Sequence, residues 1–504
     1  MSPRTTGYLS VGFAVLSAFF QGLGFQVPVF KIPFLGGPWP GWILLALLTV
    51  ISLRLILRPQ REWQFSPLTL KQIRRFRSIR RGYISFLILL GLAGLASLDN
   101  LVVGKRALIV RYAGEFYFPF LRGDFLPGKT FGFETEAETD YRELQTRSRR
   151  ENEGDWVILP LVPFATKLDA PPIIEELEMH GDKLSLKEGG LPLNGTAYTV
   201  FANNPDQKRQ EFQFRRGLKH GDFRGWNEKG EQVEKGRYEN GQRVAYTDFS
   251  DGQAAALESQ AGSVWQRLVY PPSYPSAAHR HYLGTNTTGQ DVLAMLFGGW
   301  QQALVAAVLY VSAVFVIGIF VGGALGYFGG WVDITVQRFM EIWSVLPFLF
   351  VVAIISSLIT PSLTVLVAVI AAFGWMGTTS YLRTAVFREK ARDYVAAARL
   401  LGASTPRIIF RQVLPNVIAI LVTLAPFEVA GVITSLAALD FLGFGLPPDE
   451  PSWGRLLHEG VDNFSYPWIV SSAFFAMASV LVLVTFVGEA VREAFDPKKF
   501  TIYK

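Results

Sequence analysis

Apolar runs long enough to cross a bilayer recur along this chain, and they limit what it can fold into more than any other feature. Such runs begin near Gly7, Gly41, Gly82, Trp300, Phe339, Pro361, Gln412 and Pro467. A hydrocarbon core takes about 20 apolar residues per helix. Lipid offers no hydrogen bonds, so each run must satisfy its backbone internally as a helix. The first two runs are short or interrupted by Gly and Pro. Half of the 504 residues are hydrophobic and 18% are charged, against about 25% charged in a soluble domain. The expected fold is an all-α polytopic membrane protein with about eight transmembrane helices.

The basic residues set an expected topology. The net charge of +6 comes from Lys and Arg gathered beside the apolar runs, as the positive-inside bias requires. No nucleic-acid partner is implied. The densest cluster, "LRLILRPQREWQFSPLTLKQIRRFRSIRRG" (Leu53–Gly82), is expected inside. Alternation then puts the N-terminus inside, about 99–299 outside, the loop near Gly329–Gln337 inside and the Pro361 turn outside. Arg383, Arg388, Lys390, Arg392, Arg399 and Arg407 fall inside by the same alternation, the Leu439–Tyr466 loop outside and the C-terminus inside. The first run makes a poor cleavable signal, because no small-residue cleavage site follows it. Cysteine is absent, which excludes disulfides and thiolate chemistry within the chain.

The long outer segment is not uniform. Within it, about 173–263 is polar, Gly-rich and reads as an insertion. "FRRGLKHGDFRGWNEKGEQVEKG" is followed by "RYENGQRVAYTDFSDGQ", with Phe214 matching Tyr238 and Gly217 matching Gly241 at a period of 24. Aromatics alternating with polar residues between Gly turns predict short β-hairpins stacked as a repeat. The pattern resembles MORN-type repeats, and a β-rich extracytoplasmic insert serving as a solvated spacer is the expectation.

Motifs that suggest chemistry do not hold up in context. "GDFLPGKT" (Gly123–Thr130) fits the phosphate-loop pattern letter for letter. A working phosphate loop opens a helix after a strand, whereas Pro127 removes an amide the loop would use and no helix start follows. His279 and His281 lack carboxylate or cysteine partners at ligand spacing, so a surface pair is expected. No nucleophile–base arrangement is present, and no catalytic, cofactor or metal residue is assigned. Gly318, Gly322, Gly323 and Gly326 fit close helix packing. Glu341, Glu428 and Glu489 lie in or at the edges of spans, where acids are costly and face a bundle interior or a watery path. Glu428 in "TLAPFEVAGVIT" is the deepest. A point on a translocation pathway and a helix–helix hydrogen bond are equally open to it.

"DYVAAARLLGASTPRIIFRQVLPN" (Asp393–Asn416) stands between two apolar runs. Asp393–Leu401 predicts a helix, and Gly402 its left-handed stop. Thr405 is expected to cap a second helix with Pro406 at its first position. That helix should break at Pro415. A rigid helix–turn–helix with apolar residues between two spans suggests a docking element.

This stretch is similar to the "EAA" loop of ABC importer permeases. Ala397 and Ala398 match its alanines, Gly402 its glycine and Leu414-Pro415 its end, while Ala396 stands where the motif has glutamate. "LGTNTTGQDVLAMLFGG" (Leu283–Gly299) resembles a signature of C-type dipeptide and oligopeptide permeases, with Asn286 and Gln290 in place of Asp and Arg. "LDFLGFGLPPDEPSWGRLL" and "GEAVREAFDPK" match the same family. "RALIVRYAGEFYFPFLRGDF", "FGFETEAETDYRE" and the "FGW" of Phe373–Trp375 look like the microcin C/oligopeptide permease branch with an enlarged outer segment. The resemblance covers about Leu70–Pro172 and Trp265–Lys499.

The resemblance implies a permease subunit of an ATP-driven peptide importer in a bacterial inner membrane, with no enzymatic activity of its own. ATP and Mg would be bound by two cytoplasmic ABC ATPase subunits. A B-type permease would complete a heterodimer in the membrane lipid, and a periplasmic peptide-binding protein would deliver substrate. ATPase closure would act on Ala396, Ala397, Ala398, Gly402, Ala403, Ser404, Pro406, Ile409, Arg411, Leu414 and Pro415. Glu428, Glu341 and Trp375 would line the pathway. The expected divisions are 1–58 (two extra helices), 59–103 (basic segment and third helix), 104–299 (outer segment) and 300–504 (five-helix core with coupling loop 384–415). A proton-coupled transporter resting on Glu428 and a receptor with an outer sensing domain are the rival readings.

Overall fold

The computed structural model describes residues 67–98, 101–122, 125–151, 154–187, 191–201, 204–249 and 264–496, with Tyr8, 10–15, 46, 49–50 and 52–53 before them. The first two apolar runs lie largely outside the described residues. Two units divide the chain: 170–273 with 287–289, and the remainder.

The larger unit is built on helices. α1 (Pro67–Ser78) and α2 (Arg80–Ser97) are followed by α3 (Tyr141–Glu151), which lies outside the bundle. The bundle continues with α4 (Val292–Phe328), α5 (Gly330–Val345), α6 (Phe348–Leu358) and α7 (Leu363–Lys390). After α8 (Asp393–Leu400) come α9 (Thr405–Phe441), α10 (Trp453–Asp462) and α11 (Pro467–Phe495). Among the described residues, α4, α7, α9 and α11 are each long and apolar enough to cross a membrane. The α1–α2 and α5–α6 pairs, bent by 92° and 74°, bring the number to six.

Three boundaries depart from the sequence expectations. α4 starts at Val292, not Trp300, because Asp291 caps it by accepting from the Ala294 amide at 2.7 Å. The run expected from Phe339 begins at Gly330, so the loop expected over 329–337 shrinks to Gly329 and Gly330, both left-handed at φ +64° and +54°. Pro347 then splits the run by holding Leu346 extended at ψ 125°, since a residue before proline is pushed out of the helical region. Finally, the helix does not break at Pro415. A π turn over Ile409–Val413 widens the preceding backbone, and α9 runs through unbroken to Phe441. A proline clashes with the carbonyl four residues back, and one π turn moves that carbonyl aside.

The bundle packs closely where glycines allow it. A Cβ on Gly322 or Gly326 would come within 2.7 Å or 2.5 Å of a backbone oxygen in α7, and one on Gly318 would meet Thr378 at 2.9 Å. Gly323 faces open space, so three of the four predicted glycines pack α4 on α7. One core cluster joins Ala306, Tyr310 and Val314 of α4 to Leu366 and Ile370 of α7 and Val432 and Leu436 of α9. At the Asp440 end of α9, Ser452 and the Leu446 amide both bond the Asp440 carboxylate. Gly454 of α10 packs so tightly there that a Cβ would sit 2.1 Å from the Ala437 oxygen.

The non-helical part of this unit carries a small antiparallel sheet in the order β2 (Glu115–Tyr117), β1 (Ile109–Tyr112), β3 (Trp156–Ile158). Val110, Phe131, Tyr141 and Leu144 form its core with α3. Burial raises the Glu138 carboxyl, but Lys105 and Arg106, bonded at 2.6 and 2.7 Å, outweigh it and hold the group below the usual carboxylate range. The phosphate-loop lookalike lies here. Gly128–Phe131 is a single 3₁₀ turn ended by left-handed Gly132, and Lys129 bonds Glu136 at 2.6 Å.

The smaller unit is one eight-stranded antiparallel sheet. Its strands are β4 (Ile173–His180), β5 (Lys183–Leu186), β6 (Gly195–Phe201), β7 (Asn204–Arg215), β8 (Leu218–Trp226), β9 (Gln232–Glu239), β10 (Gln242–Asp248) and β11 (Trp265–Val269). The order is β10-β9-β8-β7-β6-β11-β4-β5, so β11 joins the sheet although it lies past the expected insert end at 263. The period of 24 marks two equivalent turns. Arg216-Gly217 and Asn240-Gly241 are both left-handed, with φ of +51° and +81° in the first and +51° and +89° in the second. Left-handed pairs of this kind match the right-handed twist of the strands they join. Phe212, Phe214 and Phe223 are buried beside Tyr238 and Trp265.

Candidate functional site

Between α7 and α9 the chain forms the predicted helix–turn–helix. α8 ends in a Schellman motif: Gly402 at φ +80° donates to the Arg399 oxygen (3.0 Å) and Ala403 to the Ala398 oxygen (3.1 Å). These bonds satisfy carbonyls a helix end leaves open. The second helix is capped one residue earlier than expected, with extended Ser404 at the cap and Pro406 second rather than first in the helix. Ser and Thr are both favoured caps, Ser somewhat the better, and proline is tolerated throughout the first helical turn, so sequence alone places the cap only to within a residue.

This element has two contrasting sides. Val395, Ile408 and Val413 are wholly buried with Tyr327 of α4, Leu382 and Val386 of α7 and Val417 of α9. Ala398, Ala403 and Ile409 pack half-buried against them. The Tyr394 hydroxyl bonds Glu389 of α7 at 2.7 Å and accepts from Asn416 of α9 at 2.9 Å. On the other side Ala396, Ala397, Ser404, Pro406, Arg411 and Pro415 are exposed, with Leu414 half-buried. The tip itself is apolar: Leu400 is 90% and Leu401 88% exposed. The sequence reading missed these two leucines.

Glu428 lies midway along α9, half-buried. Tyr310 of α4 donates to it at 3.1 Å and Thr378 of α7 at 3.0 Å, so three spans meet at one carboxylate. The Tyr310 hydroxyl is pressed against Gly374, where a Cβ would come within 2.1 Å. Trp375, the neighbour of Gly374, packs half-buried against the same core and donates to the Ala372 oxygen at 3.0 Å. Glu341 is not part of this node. It is exposed on α5 and pairs with Arg338 one turn away on the same helix. α5 is tied to α7 instead by Asp333, bidentate to Arg383 at 2.5 and 2.6 Å. Glu489 pairs with Arg81 at 3.2 Å and joins α11 to α2.

The head of α4 holds a buried polar cluster. His281 is not the surface residue expected: it is 1% exposed, stacks on Phe164 at 4.1 Å and bonds the capping Asp291 at 2.8 Å through Nδ1. Asp291, which caps α4 through its other oxygen, gives the buried ring its partner, and the spacing between His281 and Asp291 carries no periodic signal. Asn286 and Gln290 share three hydrogen bonds: the Gln290 backbone N–H to Asn286 Oδ1 (2.8 Å), Asn286 Nδ2 to Gln290 Oε1 (3.1 Å) and the Asn286 backbone N–H to the Gln290 carbonyl (2.9 Å). A neutral pair thus occupies the two positions where the resembled signature has opposite charges.

The described helices form a multi-span bundle whose spans meet at a carboxylate, with an apolar-tipped turn between two of them. Residues 293–501 match the family model "Binding-protein-dependent transport system inner membrane component". A peptidoglycan transport system permease, YejE, of Agrobacterium fabrum is 30% identical over 88% of this chain and 96% of its own. The inner membrane ABC transporter permease YejE of Escherichia coli is 31% identical over 86% and 99%. The oligopeptide transport permease OppC of Mycobacterium tuberculosis is 34% identical over 46% and 78%. The chain belongs to the binding-protein-dependent permease family and is a multi-pass inner-membrane permease subunit of an ABC importer.

Proposed function

We propose that this chain is one half of the membrane path of a peptide importer, and that α8 with the start of α9 is the surface on which a cytoplasmic ATPase docks. The observation that carries this is the contrast within one short element, between the fully exposed Leu400–Leu401 tip and the wholly buried Val395, Ile408 and Val413. An exposed apolar patch on a rigid support suits a protein partner. The buried side packs on α4, α7 and α9, so a push on the tip is delivered to three spans at once. α9 is continuous from Thr405 to Phe441 and acts as a lever that changes access along the path.

This orientation makes the α8 end cytoplasmic, together with both termini, and the segment of about 99–299 periplasmic. The basic residues around α8 support it. ATP and Mg belong to the ATPase pair, a second permease completes the path, and a periplasmic binding protein delivers substrate. Peptide as substrate follows from relatives named for oligopeptide and peptidoglycan transport, and a microcin C-like peptide falls in that class. The smaller β unit is a periplasmic spacer of stacked hairpins in this reading. Changing Leu400 and Leu401 together to Asp removes the apolar tip without touching the buried side. The double variant is expected to lose the ATPase on co-purification from mild detergent while retaining the second permease. Full retention of the ATPase would remove the docking assignment.

A further inference from the structure

Glu428 carries more negative charge than its surroundings answer. A carboxylate in the middle of a membrane span costs energy unless it is paired or reaches water. Here its hydrogen-bond donors among the described residues are two neutral hydroxyls, Tyr310 and Thr378. No described lysine or arginine pairs with it, whereas Glu341, Glu489 and Asp333 each have an arginine. Two donors also leave lone pairs on a group that can accept about four hydrogen bonds.

A second observation concerns the surfaces beside it. The open stripe of α9 next to Glu428 has one large residue, Phe427, and otherwise Gly431, Thr434 and Ala438, and that of α7 has Gly377, Ser380, Tyr381 and Thr384. Both glycines face empty space, with no atom within 4 Å of an added Cβ. Helix faces turned to lipid are covered by large apolar side chains. Small and hydroxyl residues left open at this depth suit a partner helix or a watery path.

We infer that Glu428 is a cation subsite in the translocation path, where it receives the α-ammonium group of a passing peptide. An ammonium has three donors for the unused lone pairs and supplies the positive charge the site lacks. Tyr310, fixed by Gly374, and Thr378 hold the carboxylate in place while its free side meets the substrate. The subsite is transient by design, since neutral hydroxyls stabilise the carboxylate enough to let the cation leave. This rests on the peptide reading above.

The test compares uptake of a tripeptide and its N-acetylated form by vesicles containing the full complex, with wild-type chain and with Glu428→Gln. The Gln side chain retains the shape of the node and an acceptor but lacks the charge. The ratio of free-amine to N-acetyl uptake is expected to fall about tenfold in Glu428→Gln, the worth of one charge-assisted hydrogen bond. Glu428→Asp should restore part of the ratio. A merely structural node would lower both rates together and leave the ratio unchanged, and that result overturns the inference. Wild-type complex that takes up neither peptide would instead overturn the peptide reading itself, and the subsite with it.

Discussion

Gly402→Glu should abolish ATP-driven uptake while the chain still inserts, folds and pairs with its second permease. Gly402 is at φ +80° with no atom within 4 Å of an added Cβ, so space is not the obstacle to a side chain. Left-handed backbone costs an L-residue about 1–2 kcal/mol. The buried side of the helix–turn–helix, with Val395, Ile408 and Val413 each at or below 1% exposure, is large enough to absorb that. The damage falls on the outside, where a carboxylate next to Leu400 and Leu401 would have to be desolvated against the proposed ATPase partner. Burying an unpaired charge costs several kcal/mol, which is a loss of at least about a hundredfold in docking affinity. Uptake assays alongside quantified membrane levels check this, and normal uptake at normal levels would refute it.

The largest loss of stability is expected from His281→Leu. The two side chains of the His281–Asp291 pair are 2% and 0% exposed. Leucine fills the space on Phe164 but leaves Asp291 Oδ2 without its donor. Removing one partner of a buried pair costs about 3–5 kcal/mol, and the same aspartate caps α4 through its other oxygen. The apparent Tm of the detergent-solubilised chain should fall by on the order of 10 °C. His281→Gln, which can still donate, should recover part of the loss. A Leu variant that melts with the wild type would mean that Asp291 is satisfied by other means.

The bundle was legible in the sequence because lipid imposes one solution on each long apolar run, and α2, α4, α7, α9 and α11 all lie where a run was read. What local rules misjudged was the backbone between and within those runs. Pro415 reads as a helix breaker, yet a π turn, which leaves no mark on hydrophobic spacing, absorbs it. Leu346-Pro347 breaks a run that composition presents as continuous.

The helix–turn–helix was readable because Gly402 accepts the left-handed backbone that other residues avoid, and Pro406 has a fixed φ suited to a first helical turn. The exposure of Leu400 and Leu401 was not, since it depends on which side of α8 finds partners in α4, α7 and α9. Glu428 was singled out by its depth alone. Its partners Tyr310 and Thr378 lie 118 and 50 residues before it in the chain, so packing alone brings them together and no linear pattern links them. His281 was misplaced for the same reason, because its partner Asp291 became buried only when the head of α4 was capped.

The central claim is that the turn after α8 touches the ATPase, and the chain's lack of cysteine makes a direct measurement possible. A single cysteine at Leu401, carrying a short thiol-reactive photocrosslinker, should join this chain to the ATPase subunit in native membranes. The same probe at Tyr270, 77% exposed and assigned to the periplasmic side, should not. A crosslink from position 401 and none from 270 is the predicted result. A probe at 401 that captures only lipid or water, in membranes that carry the assembled ATPase, would contradict the account.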